Sequence, residues 1–277
     1  MSELKATVLI DNIAADGLSA EWGLSVFIEY GGKRYLLDTG ATGKFADNAQ
    51  KLGISLSATD FGILSHAHYD HSDGMERFFS ENAAAKFYIR EGASENCYGS
   101  KFIFSKYIGI KRGTLEKFSD RIEYAHGDFL LSDGVYLIPH KTPGLAAAGK
   151  RAGMFRKVNG RRVPEDFSHE QSLVFDTSKG LVIFNSCSHG GADNIINEVA
   201  ASFPDKKIYA LIGGFHLFKT SAEDVKTLAV NIKKTGIKYV ATGHCTGDKG
   251  FDVLKKELGD TLVKLHSGFV FETDRSD

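Results

Sequence analysis

Two hydrophobic periods alternate along the chain. Near the N-terminus LKATVLI alternates apolar and polar positions, and WGLSVFIEY and KRYLLDTG follow as further strands. The Gly31-Gly32 pair between the last two predicts a tight hairpin. The spacing then becomes helical in GKFADNAQKLG, where Phe45, Ala49 and Leu52 share a face and Gly53 acts as a C-cap. DFGILSH is a short buried strand, and DGMERFF begins a helix just beyond it.

The second half repeats this logic. SLVFDTSKGLVIFNS reads as strand, turn, strand. GADNIINEVAASFP is helical, with Ile195, Ile196, Val199 and Ala200 on one side, and Pro204 stops it. KIYALIGG is a buried strand. SAEDVKTLAVNIKKTG is a helix capped by Ser221, with Glu223 and Asp224 in its first turn, lysines in its last and Gly236 at its end. KYVATGH is a strand, FDVLKKELG a helix and LVKLHSGFVFE a pair of strands. Strand-rich halves with helices between them suggest an α/β (α+β) fold with two sheets face to face and helices outside. Other α/β sandwiches share that spacing. With no repeat or linker, residues 1–277 are expected to form one domain. Two segments fit poorly: 91–133 is rich in aromatics and lysines, and 141–168 in glycine and basic residues. Such stretches are either lids over a site or solvated surface.

Composition narrows the function only a little. The 277 residues suffice for one large domain, and a net charge of −1 leaves no global pull toward nucleic acid or membrane. The longest apolar runs are strand-sized, and the N-terminus reads as a strand rather than a signal peptide. Cys97, Cys187 and Cys245 are too few and too scattered for a disulfide framework. A cytoplasmic location follows as the expectation.

Chemistry concentrates in Ser65-His66-Ala67-His68-Tyr69-Asp70-His71-Ser72-Asp73-Gly74, at the end of an apolar strand. So many mutually repelling polar groups in so short a span require a cation to collect them. In an extended segment His66 and His68 point the same way and can share one metal. Asp70 and His71, where the chain turns into a helix, can reach a second.

His-x-His-x-Asp-His after a short strand, preceded by Leu-Leu-Asp-Thr-Gly, resembles the metallo-β-lactamase superfamily, and the resemblance spans nearly the whole chain. It implies an αββα sandwich, two mixed sheets packed face to face with helices outside, and a two-metal site at one edge of the sheets. Asp38 matches the motif whose Asp supports the metal-binding loop. His244 in Thr242-Gly243-His244 matches the last motif, whose His binds the second metal. The middle motifs depart from the pattern. Leu145 follows Thr142-Pro143-Gly144 where a His is expected, and Cys187 stands where a bridging Asp is usual. His189 is taken as the replacement ligand. Cys187 is either a thiolate ligand or a buried small hydrophobe, and is placed behind the ligands together with Asp38. Ser186-Cys187-Ser188-His189-Gly190-Gly191, with His169-Glu170-Gln171, Gly214-Phe215-His216 and His244-Cys245-Thr246, is similar to a narrower group, the dihydropterin-ribofuranosyl-aminobenzene-phosphate synthase-like proteins.

The resemblance implies a hydrolase in which two divalent ions, zinc first and manganese or iron as alternatives, activate water. The metal ligands would be His66, His68, Asp70, His71, His189 and His244. Asp70 would also orient the water, His216 would assist the leaving group, and Glu170 would support a ligand or carry protons. His126, His140 and His266 have no supporting context. Arg151, Arg156 and Arg161 head a basic stretch that suits an anionic, phosphorylated substrate if it closes over the site. Phe102, Phe104 and Tyr107 are candidates for a wall against a heterocycle, or for core. The alternatives are a di-iron redox protein of the same fold, disfavoured because His68 stands where oxygen-reducing relatives carry Glu, and a non-catalytic metal-binding relative. A nuclease would need an inserted domain for which this chain has no room.

Overall fold

The computed structural model describes residues 2–101 and 104–274. The first sheet has seven strands in the order Val270–Asp274, Ser2–Ile10, Ser25–Tyr30, Lys33–Leu37, Phe61–Ile63, Lys86–Arg90 and Ile122–Ala125. Its first four strands are antiparallel neighbours and its last four run parallel. The second sheet repeats the plan. Phe129–Ser132, Val135–Pro139, Gln171–Thr177 and Gly180–Phe184 are antiparallel, and Gly180–Phe184, Ile208–Gly214, Tyr239–Gly243 and Leu262–Lys264 are parallel.

Side-chain alternation explains the layers. Val26 and Ile28 face the second sheet and pack with Leu137, Phe175 and Phe184 between the two sheets. Phe27, between them in sequence, points the other way, into a cluster with Phe45, Ala49 and Phe78 from helices Lys44–Lys51 and Met75–Glu81. The outer face of the second sheet is covered by helices Ala192–Ser202, Ala222–Lys234 and Gly247–Leu258. The result is the expected αββα sandwich. Gly31 and Gly32 turn the predicted hairpin with φ of 58° and 76°, and Ser221 caps its helix by accepting from the Asp224 amide.

The segments that fitted the pattern poorly are structured. Tyr98–Lys101 and Phe104–Tyr107 join Met154–Val158 and Arg161–Pro164 in a third sheet of four strands. Ile122–Ala125 and Phe129–Ser132 belong to the two main sheets, and Leu145–Ala152 is a helix. Among the described residues, no helix is long and apolar enough to cross a membrane.

Candidate metal centre

The parallel strands of the two sheets end at one edge, and each delivers a polar residue there. Leu37 leads into Asp38, Ile63 into the histidine cluster, Phe184 into Cys187 and His189, Gly214 into His216, and Gly243 into His244. The carboxyl ends of parallel strands are where open α/β sheets gather their sites. Backbone strain gathers there too. Among the described residues, six other than glycine have positive φ, and Asp38, Phe167, Ser188, His216 and His244 of these surround this edge. Such conformations cost roughly 1–3 kcal/mol each and persist only where the surroundings over-determine them. Gly74 is needed for packing: a Cβ there would sit 2.1 Å from the Thr39 carbonyl oxygen, so the helix after the cluster could not approach the Asp38 loop.

The predicted ligands fall into two groups. His66, His68 and His189 bring ring nitrogens within 4.8 Å of one another, and the Nε2 atoms of all three are buried without a partner. Their Nδ1 sides explain why two of these nitrogens are free. Ser65 Oγ donates to Asp38, so His66 Nδ1 donates to Ser65 Oγ at 2.8 Å. His189 Nδ1 donates to Glu170 at 2.7 Å. Each Nε2 therefore keeps its lone pair and aims it at the same space.

In the second group, Asp70 Oδ2 lies 3.8 Å from His71 Nε2 and 3.5 Å from His244 Nε2. The two Nε2 atoms are 3.1 Å apart. His71 Nδ1 donates to the Asp38 carboxylate at 2.8 Å. His244 Nδ1 donates to Asn12 Oδ1 at 3.1 Å, with the Asn12 amide oriented by its own bond to the His244 carbonyl. Two lone pairs facing at that distance require a positive charge between them.

The electrostatics agree. Burial, reinforced by the neighbouring rings, holds His66 and His68 well below the usual imidazole range. Burial also lowers His189, against the pull of Glu170. Burial opposes the charge on Asp70, but His71, His244 and His68 outweigh it and keep the carboxyl below its usual range. His244 goes the other way: burial is overcome by Cys245, Asp70 and Asp11, and its pKa rises to about 9. Without metal, His244 thus holds a proton where the geometry calls for a cation. Neutral imidazoles, one buried carboxylate and a central thiol fit a divalent transition metal.

Cys187 lies nearer the centre than a supporting place behind the ligands implies. Its Sγ is 3.4 Å from His71 Nε2, and it shares a 4.8 Å neighbourhood with His66 and His71, with His244 and Cys245, and with His189 and His216. Burial pushes its thiol pKa up. Asp38 lies behind His71, accepting from Ser65 N, Ser65 Oγ, Ser186 Oγ and His71. Glu170 is fully buried behind His189, where one oxygen accepts from the ring and the other from the His189 amide at 3.3 Å. That place suits support of a ligand, not exchange of protons with a substrate.

Beside His189 opens a cavity of about 660 Å³, whose walls include Arg151, Phe167, His216, Phe218 and Lys219. The His216 ring is 4.6 Å from the His189 ring, and its Nδ1 is buried without a partner. Of the three arginines singled out from the sequence, only Arg151 reaches the cavity wall. Arg156 pairs with Asp166 at 2.5 Å, and Arg161 is exposed on its hairpin. Phe104 is 70% exposed and neither it nor Tyr107 lines this cavity, while Phe102 lies outside the described residues.

Sequence reasoning passed over three groups. Cys245 accepts the His216 amide at 3.1 Å. His169 accepts the Ala67 amide at 3.1 Å and so fixes the loop between His66 and His68. His140 lies buried beside Glu170. Its position two residues before Thr142-Pro143-Gly144, the motif after which Leu145 replaces the expected histidine, was the available signal.

Comparison with known proteins agrees with this fold. The model of the metallo-β-lactamase superfamily matches residues 23–148. A Methanocaldococcus jannaschii protein named 7,8-dihydropterin-6-methyl-4-(β-D-ribofuranosyl)-aminobenzene-5'-phosphate synthase is 29% identical, over 91% of this chain and 90% of its own length. The crystal structure of Tm1679, described as a metal-dependent hydrolase of the β-lactamase superfamily, superposes with a TM-score of 0.83 at 27% identity, covering 98% of this chain and 99% of that one. YhfI from Bacillus subtilis, a metallo-β-lactamase fold protein, shares the fold alone, with a TM-score of 0.59 at 14% identity over 98% of this chain and 100% of its own.

Proposed function

We propose that this chain, whose residues 23–148 match the metallo-β-lactamase superfamily model, is a member of that superfamily and a binuclear metal-dependent hydrolase acting on a small anionic metabolite. The observation that carries the proposal is the set of unpartnered Nε2 atoms of His66, His68 and His189 beside the facing pair of His71 and His244. His66, His68 and His189 would hold one ion, and Asp70, His71 and His244 the other. Zinc suits this imidazole-rich set, with iron and manganese next. Bound there, two divalent ions would make water nucleophilic near neutral pH and neutralise anionic charge on a phosphoryl or carbonyl oxygen.

The chain's own groups supply the rest. Asp70 remains anionic and offers an oriented acceptor beside both His71 and His244. His216 stands at the junction of cavity and centre, where its ring can hold or deliver a proton at the leaving atom. Arg151 and Lys219 are the cations on the cavity wall, and neither carries an ion pair among the described residues. They suit a phosphate or carboxylate remote from the bond that breaks. Phe218, 40% exposed, and Phe167 offer faces to a flat ring.

Transfer to an acceptor other than water is the second reading, because the Methanocaldococcus relative is named a synthase. The test is elemental analysis of protein prepared without chelator, followed by phosphomonoester and phosphodiester turnover with zinc, manganese or iron restored. Metal uptake with hydrolysis of either ester supports the proposal. Metal uptake with turnover only when an acceptor is added supports transfer.

A further inference from the structure

His189 hangs on a loop, between Ser188 with φ of 54° and Gly191 with φ of 99°. A side chain on such a loop needs support to keep its ring aimed. The support is a row of buried groups from three other elements. His140 follows strand Val135–Pro139, Glu170 precedes strand Gln171–Thr177, and the register pairs Pro139 with Gln171. The two side chains therefore emerge next to each other, with His140 Nε2 3.1 Å from Glu170 Oε1. On the far side, His140 Nδ1 lies 2.9 Å from Glu198 Oε2, on helix Ala192–Ser202. The outer carboxylate is itself anchored, accepting from the Lys141 amide at 2.9 Å and from Thr142 Oγ1. The side chains of His140 and Glu170 are 1% and 0% exposed, that of Glu198 11%.

We propose that His140 is a positioning residue: an imidazolium held between Glu170 and Glu198 that locks the Glu170 carboxylate onto His189 and so aims His189 Nε2 at the metal centre. A carboxylate cannot donate, so His140 Nδ1–H donates to Glu198, while Nε2 lies at ion-pair distance from Glu170 Oε1 but outside hydrogen-bond geometry; only the doubly protonated ring puts an N–H toward both carboxylates. Burial alone would lower the His140 pKa, yet Glu170 and Glu198 outweigh it and raise it to about 10. The same arrangement compensates Glu170, a buried carboxylate that would otherwise face one neutral ring. Leu145 occupies the position from which the family pattern expects a histidine, and its Cδ2 closes the space beside Gly190 to 3.0 Å of where a Cβ would sit. The ligand thus comes from residue 189, and the histidine five residues before Leu145 supports it from behind. A carboxylate that orients a ligating histidine is a common device at metal sites; a cationic histidine holding that carboxylate is the additional element here.

The inference rests on the proposed metal centre for its purpose, but its geometry is testable without metal. In the full-length, ¹⁵N-labelled protein, long-range ¹H–¹⁵N correlations of the imidazoles should show both His140 nitrogens protonated and His189 neutral with its proton on Nδ1. His140→Gln should disturb the His189 tautomer and weaken zinc binding, read by chelator competition, about 10- to 100-fold. His140→Lys, which returns a cation to the gap between the carboxylates, should recover most of that loss. A merely space-filling His140 would give no such rescue. If His140→Gln does not fold, Glu198→Gln serves in its place and should also weaken zinc binding. A neutral His140 in wild type, or zinc affinity within about twofold of wild type together with an unchanged His189 tautomer in the variant, overturns the proposal. A wild type that binds no zinc, yet shows the predicted protonation and a disturbed His189 tautomer in His140→Gln, overturns the metal-centre reading and supports the positioning of His189 by His140.

Discussion

His71 and His244 face each other through their Nε2 atoms at 3.1 Å, while the opposite nitrogen of each ring is committed to Asp38 or Asn12. One positive charge fits between them, and in the metal-free protein His244 carries it as a proton up to about pH 9.

Metal and proton therefore compete for one place. Zinc affinity should rise about tenfold per pH unit for one released proton as pH climbs from 7 toward 9, and level off above it. The sign follows from the raised pKa of His244: below about 9 the proton must leave before metal enters. Titration in weak buffer should show the released proton directly. Affinity independent of pH over that range would remove His244 from the ligands.

Asp38 accepts from His71, Ser65 and Ser186 and is fully buried. Asp38→Asn would put an amide NH₂ or a single neutral oxygen against those donors. We expect zinc affinity to fall about 10- to 100-fold and stability by roughly 1–3 kcal/mol. Chelator competition and chemical denaturation read the two effects separately. Full metal affinity in the variant would mean that His71 is held by packing alone.

Cys187 sits 3.4 Å from His71 Nε2, within reach of both groups of histidines. Cobalt-loaded protein should show a thiolate charge-transfer band in the near ultraviolet, absent from Cys187→Ser. Metal occupancy in that variant should fall. An unchanged spectrum would return Cys187 to a packing role among buried neighbours.

The cavity cations give a kinetic prediction. Arg151→Gln with Lys219→Gln should raise KM for a phosphorylated substrate about 5- to 20-fold and leave kcat for a small neutral ester nearly unchanged. The KM effect should shrink as salt rises. Arg156→Gln with Arg161→Gln should alter KM by no more than about twofold, because Arg156 is paired with Asp166 and Arg161 lies on an exposed hairpin. Equal KM values for wild type and the Arg151/Lys219 variant would place the anion elsewhere.

What could be read from the sequence was what is local. His66, His68, Asp70 and His71 lie within six consecutive positions, between the end of strand Phe61–Ile63 and the helical turn Tyr69–Ser72, so adjacency in the sequence alone put them together. The sandwich was legible because alternation in Val26-Phe27-Ile28 states which face meets which layer. Long-range pairings were not legible. Asp166 neutralises Arg156, the Phe155 ring carries Arg162, and Tyr98 stacks on Phe155 from 57 positions away. A basic stretch that looked free to meet a substrate is therefore largely committed to its own hairpin. His140 looked isolated for the same reason, since its partners Glu170 and Glu198 are 30 and 58 residues distant.

The most direct test of the central claim is the metal content of the wild-type chain, purified without chelator and then dialysed against zinc. The account predicts up to two transition-metal ions per chain, with His66→Ala and His244→Ala each reducing the number bound. A wild-type chain that arrives without metal and takes up none would contradict it.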